Sequence, residues 1–284
     1  MNRRDFLRLA AAGTLGSMVP SPAYAAWMSV FKDEVQPIDD RYIKDYLNKI
    51  ENFDEKHTED IFLRADQKVT LKSALSRLKR IQRIVGHGHF ALLSFDGAVK
   101  TAKAYTSVGR FTKKELDFME MIFYEDSFLY GFMGDKPLKN LTDTIDEPKA
   151  VKIPYTGNYL YKGLPLEMYK KIKKDIGDDV ILTSGLRSVT KQFMLFLSKA
   201  HSNDGNLSLA SRSLAPPGYS FHGVGDFDVG QVGFGVLNFT EKFTDTPIYK
   251  KLEDLGYIKL RYSKGNYLGV RFEPWHIKVK LQSC

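Results

Sequence analysis

One cysteine occurs in 284 residues, and it is the last of them, Cys284. No internal disulfide can form, and four-cysteine zinc knuckles and iron–sulfur sites are excluded. Any metal site must be built from His, Asp and Glu, with only six histidines to draw on. After the first 25 residues no segment has the long uncharged apolar run of a membrane span. There is no compact Lys/Arg block and no nucleic-acid motif, so a nucleic-acid partner is not expected. What the chain does have is a real complement of core formers. Hydrophobic residues make up 43% and aromatics 13%, which rules out a disordered or low-complexity chain. The length suits one large domain or two modest ones. An excess of 42 Lys+Arg over 34 Asp+Glu gives a net charge of +8, which favours loose attraction to anionic surfaces.

Residues 1–25 read as an address. Arg3-Arg4 and then Phe6-Leu7-Arg8 lead into a mild apolar run broken by Gly13, Gly16 and Ser17, and Ala23-Tyr24-Ala25 fits an A-x-A cleavage site. The paired arginines resemble a twin-arginine signal, so an exported protein, cleaved near Ala25, is expected.

Residues 26–150 read as helical. Tyr42, Ile43, Tyr46, Leu47 and Ile50 recur at helical spacing, as do Leu71, Ala74, Leu75, Leu78, Ile81 and Val85 ahead of a stop at Gly86. Thr112 and Glu115 make a capping box before Leu116, Met119, Ile122 and Phe123. Residues 151–284 alternate short helices and strands. Helix is expected over 165–176, a strand over 180–183, a helix capped by Thr190, and another from Thr246-Pro247 to Gly256. Strands are expected over 257–262 and 267–272, around the turn 263–266. Ser94 to Gly97 reads as a turn, and His87-Gly88-His89 as a structural or surface loop. The expected class is α+β, with a helical region followed by a small antiparallel sheet flanked by helices.

Three clusters carry chemistry. Ser184-Gly185-Leu186-Arg187-Ser188, with Gln192, sits where a strand gives way to a helix. Ser220-Phe221-His222-Gly223-Val224-Gly225-Asp226-Phe227-Asp228 follows a Pro-Pro-Gly loop, and Glu273-Pro274-Trp275-His276 lies near the end of the chain. Two histidines and one aspartate can hold a hydrolytic zinc with a position left for water, whose pKa falls to near neutrality. A nearby carboxylate such as Glu273 can take the proton and deliver it to the leaving amine. Arg187 at a strand end can hold a substrate carboxylate by paired hydrogen bonds. If residues 225–230 are extended, Asp226 and Asp228 point to one side and Val229 to the other. Parity does not choose between the aspartates.

These clusters resemble the zinc D-alanyl-D-alanine carboxypeptidases of the VanY-like branch, with patterns S-G-Y-R-S-x-x-x-Q, S-x-H-x-x-G-x-A-x-D and E-x-W-H. Glu273, Trp275 and His276 match the last. Ser184, Gly185, Arg187, Ser188 and Gln192 match the first, with Leu186 in place of tyrosine. In the second, Ser220, His222 and Gly225 match, but the family's aspartate position holds Val229 and Phe227 replaces the small alanine. A one-residue shortening would bring Asp228 into place, and Asp228 is preferred to Asp226 on that ground. The resemblance implies zinc on His222, Asp228 and His276, with Glu273 as general base and acid. It also implies that Arg187 binds the substrate carboxylate or steadies the oxyanion, supported by Gln192 and Ser188. Trp275 and Ser220 would orient their neighbours. The implied substrate is a peptidoglycan stem peptide losing its terminal D-alanine. Alternatives are an L,D-carboxypeptidase or cross-link endopeptidase using the same site, or a non-catalytic wall-binding protein with a degenerate one.

Overall fold

The apolar stripe at 71, 74, 75, 78 and 81 falls on one face of a long helix, α2 (Ala65–Val85), and every residue of it is buried. The computed structural model describes residues 40–279; the twin-arginine segment and Cys284 lie outside them. Among the described residues, 47–279 form one compact unit, and helix α1 (Asp40–Glu51) spans its start.

α2 ends where Gly86 takes φ 81°, a left-handed conformation that favours glycine. Around it lie α3 (His87–Leu92), α4 (Phe95–Ala104) and α5 (Lys113–Tyr124). The Thr112/Glu115 capping box forms as expected. Glu115 does more than cap. It is buried and accepts from Ser73 Oγ at 2.6 Å, Arg77 Nε at 3.1 Å and the Thr112 amide at 2.7 Å. It thereby ties α5 to α2 through a buried ion pair.

The helical core does not stop near residue 150. Phe90, Phe95, Met119, Ile122 and Phe123 pack with Val189, Phe193, Phe196, Leu197 and Ala200 of α7 (Val189–Ser202) and with Leu207 and Ala210 of α8 (Leu207–Ser213). Each large apolar side chain buried there contributes about 1.5–3 kcal/mol. α7, which follows β3 in the chain, therefore belongs to the bundle core.

The sheet region begins with a hairpin, β1 (Ala150–Lys152) and β2 (Tyr159–Tyr161), where the sequence suggested only a connection. α6 (Leu164–Ile176) follows and stops at Gly177. A three-stranded antiparallel sheet then runs in the order β3 (Val180–Ser184), β4 (Phe227–Gln231), β5 (His276–Ile277). One face is apolar: Val180, Leu182, Phe227, Val229 and Ile277 meet Tyr169 and Ile172 of α6 and Ile248 and Leu252 of α9 (Pro247–Asp254). The class is α+β, as expected.

Three local expectations fail for physical reasons. The helix after β3 is capped by Ser188, whose Oγ accepts from the Lys191 amide, and Thr190 is buried in the first turn. Ser94 to Gly97 opens α4, with Ser94 Oγ accepting from the Gly97 amide. The strands over 257–262 and 267–272 do not form. Gly265 and Gly269 have φ of 67° and 76°, and the Asn266 amide bonds the carbonyls of Ser263 and Val270. The backbone there pairs with the helical side instead: Met133 N donates to Leu268 O, and Arg271 N donates to Arg212 O.

Candidate active site

The strand register decides which polar residues meet. Ser184 pairs with Asp228 and Asp228 with His276, so the three stand in a row across the sheet. Side chains alternate along a strand. With Phe227, Val229 and Ile277 turned into the core, Asp226, Asp228 and His276 are turned to the other face, towards each other. His222 reaches the same place from a short 3-10 turn, Phe221–Gly223, just before β4.

His222, Asp228 and His276 are all buried, and each offers a ligand atom within 4.8 Å of the others. His222 Nε2 and His276 Nδ1 each lie 3.1 Å from Asp228 Oδ1. An ion bound at zinc-like distances spaces tetrahedral ligands by about 3.3 Å. The far nitrogens are occupied: His222 Nδ1 donates to the Gly185 carbonyl at 2.8 Å, and His276 Nε2 donates to Asp226 Oδ2 at 3.0 Å. With a bound cation taking the place of the inner ring proton of His276, both rings would present a lone pair inwards.

The electrostatics favour a cation. Burial, helped by the Arg187 charge, holds His222 below its usual pKa and keeps it neutral. Burial opposes charge on His276 too, but its hydrogen bonds and charge contacts with Asp226 and Asp228 prevail and raise it to about 9. Burial likewise opposes ionisation of Asp228, yet His222 and Arg187 hold its carboxyl well below the usual range. Two ionised carboxylates around one imidazole call for a positive charge, and a divalent ion supplies it. The donor set fits zinc.

Glu273 is buried on the loop before β5, with Oε2 3.9 Å from His276 Nδ1. Burial raises its pKa, the Asp228 charge adding to the effect. Arg187 donates through Nε to Ser184 Oγ at 2.8 Å and through Nη2 to Asp228 Oδ2 at 2.6 Å. Gln192 donates to the Arg187 carbonyl and accepts from the Gly218 amide, so it fastens the Arg187 loop to the loop before His222. Ser188 caps α7, and Ser220 is buried on the wall of the small cavity that Arg187, Glu273 and both histidines share. Trp275 is buried against Phe239 and carries the Arg271 guanidinium on its ring. His87 and His89 are exposed on α3, where the sequence suggested a loop, and neither belongs to the ligand group.

Sequence reasoning missed two partners. Asp226 is not in the ligand group; it accepts from Arg261 Nε at 2.7 Å and from the Val279 amide at 2.8 Å, as well as from His276. Arg261 also lies over the Phe221 ring. Parity with Asp228 was the available signal for Asp226. Nothing in the sequence pointed to Arg261, which comes from the segment read as a strand.

Residues 164–279 match the VanY family, described as D-alanyl-D-alanine carboxypeptidase. No curated protein matches the sequence. Among solved structures the chain is similar to the LdcB LD-carboxypeptidase, a structure concerned with peptidoglycan recognition. The identity is 25% over 42% of this chain and 58% of that one, with a TM-score of 0.36. The chain thus spans less than two thirds of that protein's length. It is also similar to a Zn(II)-bound variant of the D,D-pentapeptidase VanY from a VanB-type vancomycin resistance cassette, with 21% identity over 52% and 86% of the two chains and a TM-score of 0.38. For VanYB in complex with D-alanine-D-alanine the identity is 21% over 52% and 83%, and the TM-score again 0.38.

Proposed function

We propose that this chain is an exported zinc carboxypeptidase of peptidoglycan stem peptides, removing the terminal D-alanine from D-alanyl-D-alanine ends. The observation that carries the reading is the buried convergence of His222 Nε2, Asp228 Oδ1 and His276 Nδ1, with Glu273 beside it. The match of residues 164–279 to the carboxypeptidase family supports it.

Zinc held there supplies Lewis acidity, polarising a peptide carbonyl and acidifying water. Glu273 has the position and the raised pKa for a general base that takes a proton at one carboxylate oxygen and returns it to the leaving amine. Arg187 receives the substrate's C-terminal carboxylate through its guanidinium while its Nη2 contact steadies Asp228. Asp226 fixes the ring orientation of His276. The domain division follows the same reading: an address over 1–25, a helical region over 26–150, and the catalytic region over 151–284.

The test is mass spectrometry of purified muropeptides incubated with the protein, with and without a chelator. Chelator-sensitive loss of one terminal alanine from the pentapeptide is expected. Loss from the tetrapeptide alone, or splitting of cross-linked dimers, would move the activity to the L,D-carboxypeptidase or endopeptidase alternative. No change with zinc-loaded protein would overturn the enzyme reading.

A further inference from the structure

α7 has two working faces. Phe193, Phe196, Leu197 and Ala200 enter the bundle core. Lys191, Leu195 and Lys199, spaced four apart, form the opposite stripe. That stripe lines a cleft of about 430 Å³ which also reaches Asp228 and Glu273. Across it lies Arg271, its guanidinium between the rings of Phe53 and Trp275, 4.8 Å from each.

The charge in this cleft is unbalanced. Arg187, Lys191, Lys199 and Arg271 line it against only Asp228 and Glu273. Asp228 is already engaged by Arg187 and both histidines. Among the described residues no carboxylate lies within ion-pair distance of Lys191, Lys199 or Arg271, and Arg271 Nε is buried without a hydrogen-bond partner. Glu273 and then Asp228 act on the Arg271 charge across the cleft, and Asp54 and Glu241, both exposed, add smaller effects on this group. Burial lowers the pKa of Lys191, to about 8, and of Lys199. Half-dehydrated cations that outnumber their counter-ions are unfavourable, and an anionic ligand at the Lys199 and Arg271 end relieves the excess.

Spacing places that ligand. Eight helical residues separate Lys191 from Lys199, about 12 Å at 1.5 Å per residue. An extended peptide covers that distance in about three to four residues. With the terminal carboxylate at the Arg187 and Lys191 end, a second carboxylate a few residues upstream arrives at Lys199 and Arg271.

We propose that Lys199 and Arg271 form a second anion subsite, and that the preferred peptide carries a free carboxylate upstream of the scissile bond in addition to its C-terminal one. The orientation of the peptide rests on the carboxypeptidase reading; the subsite itself rests on the unbalanced cleft. Two stem-peptide groups have this chemistry, the α-carboxylate of a γ-linked glutamyl residue and the free carboxylate of a diamino-dicarboxylic acid.

The experiment is calorimetry on zinc-loaded Glu273→Ala protein, with a synthetic stem pentapeptide and two analogues, each amidated at one of those carboxylates. Amidation of one group is expected to weaken binding by at least about tenfold, the low end for a charge-assisted contact, and the weaker analogue identifies the source. Lys199→Gln should erase the difference, while Lys250→Gln, an equal charge change on the exposed face of α9, should leave it. Arg271→Gln removes the guanidinium that packs on both Phe53 and Trp275, so Lys199→Gln carries the test. Equal binding of all three peptides, or a difference that survives Lys199→Gln, overturns the subsite. Cleavage by the unmodified enzyme is read in parallel. No cleavage together with a persisting acid-over-amide difference would overturn the peptidase reading and leave the subsite standing.

Discussion

Nε2 of His276 lies 3.0 Å from Oδ2 of Asp226. Asp228, two residues further along the chain and within β4, meets the other nitrogen of that ring at 3.1 Å. Strand parity brings both aspartates to one face, and the imidazole between them divides their work. Asp228 stands with both histidines in the candidate ligand group, and Asp226 holds the far nitrogen of the ring.

That division predicts unequal losses. Asp228→Ala is expected to abolish stoichiometric zinc. Asp226→Ala should bind zinc about 10–100-fold more weakly, the usual cost of removing a partner that orients a ligand. Competition against a chromogenic chelator measures both. Unchanged affinity in Asp226→Ala would show that other contacts orient His276.

Glu273 lies 3.9 Å from His276 Nδ1 and outside the candidate ligand group, and the proposed function gives it the proton transfer. Glu273→Ala should keep the fold and stoichiometric zinc while hydrolysis falls by about 10²–10⁴-fold. Metal analysis and muropeptide turnover on one preparation decide it. Full activity would remove Glu273 from the chemistry. His276→Ala should lose the metal, and stoichiometric zinc in that variant would refute the ligand set.

Gly185 is tied to the site through its backbone. Its carbonyl accepts from His222 Nδ1, and a Cβ added there would stand 2.1 Å from the Tyr159 carbonyl oxygen. Gly185→Ala must push β2 and the Arg187 loop apart. A lower melting temperature and weaker zinc binding are expected together. A variant that melts and binds zinc like the parent would show that the loop yields freely.

Acid should weaken the helical bundle through Glu115. Burial opposes ionisation of this carboxyl, but Ser73, the Thr112 amide and Arg77 outweigh it and lower its pKa in the folded state. A lowered folded pKa gives stability that is complete above the unfolded value of about 4.3 and is lost as pH falls through the folded value. Glu115→Ala should cost about 3–5 kcal/mol at neutral pH by stranding the buried Arg77. The gap to the parent should narrow in melts towards pH 4 and below. A pH-independent gap would assign the loss to packing.

The sequence by itself determined the α2 stripe, the Thr112 cap, the helix stops at Gly86 and Gly177, and the α+β class. Each follows from local periodicity, capping or backbone freedom. It also made most of the candidate site legible, because His222, Glu273 and His276 sit in short recognisable patterns, while Asp228 stands one residue short of the position its pattern calls for. Tertiary structure decided the rest, because the deciding contacts join distant segments. Register across β3, β4 and β5 set Asp228 between Ser184 and His276 and grouped it with both histidines, which strand parity does not specify. The pairing of residues 268 and 271 with Met133 and Arg212 replaced an expected hairpin and delivered Arg261 to Asp226. The packing of α7 into the bundle turned Lys191 and Lys199 towards the cleft, where Arg271 arrives from 72 residues further along the chain. No local pattern encodes that meeting, because cations on a helix face read from sequence as a solvated surface until the fold puts a wall opposite them.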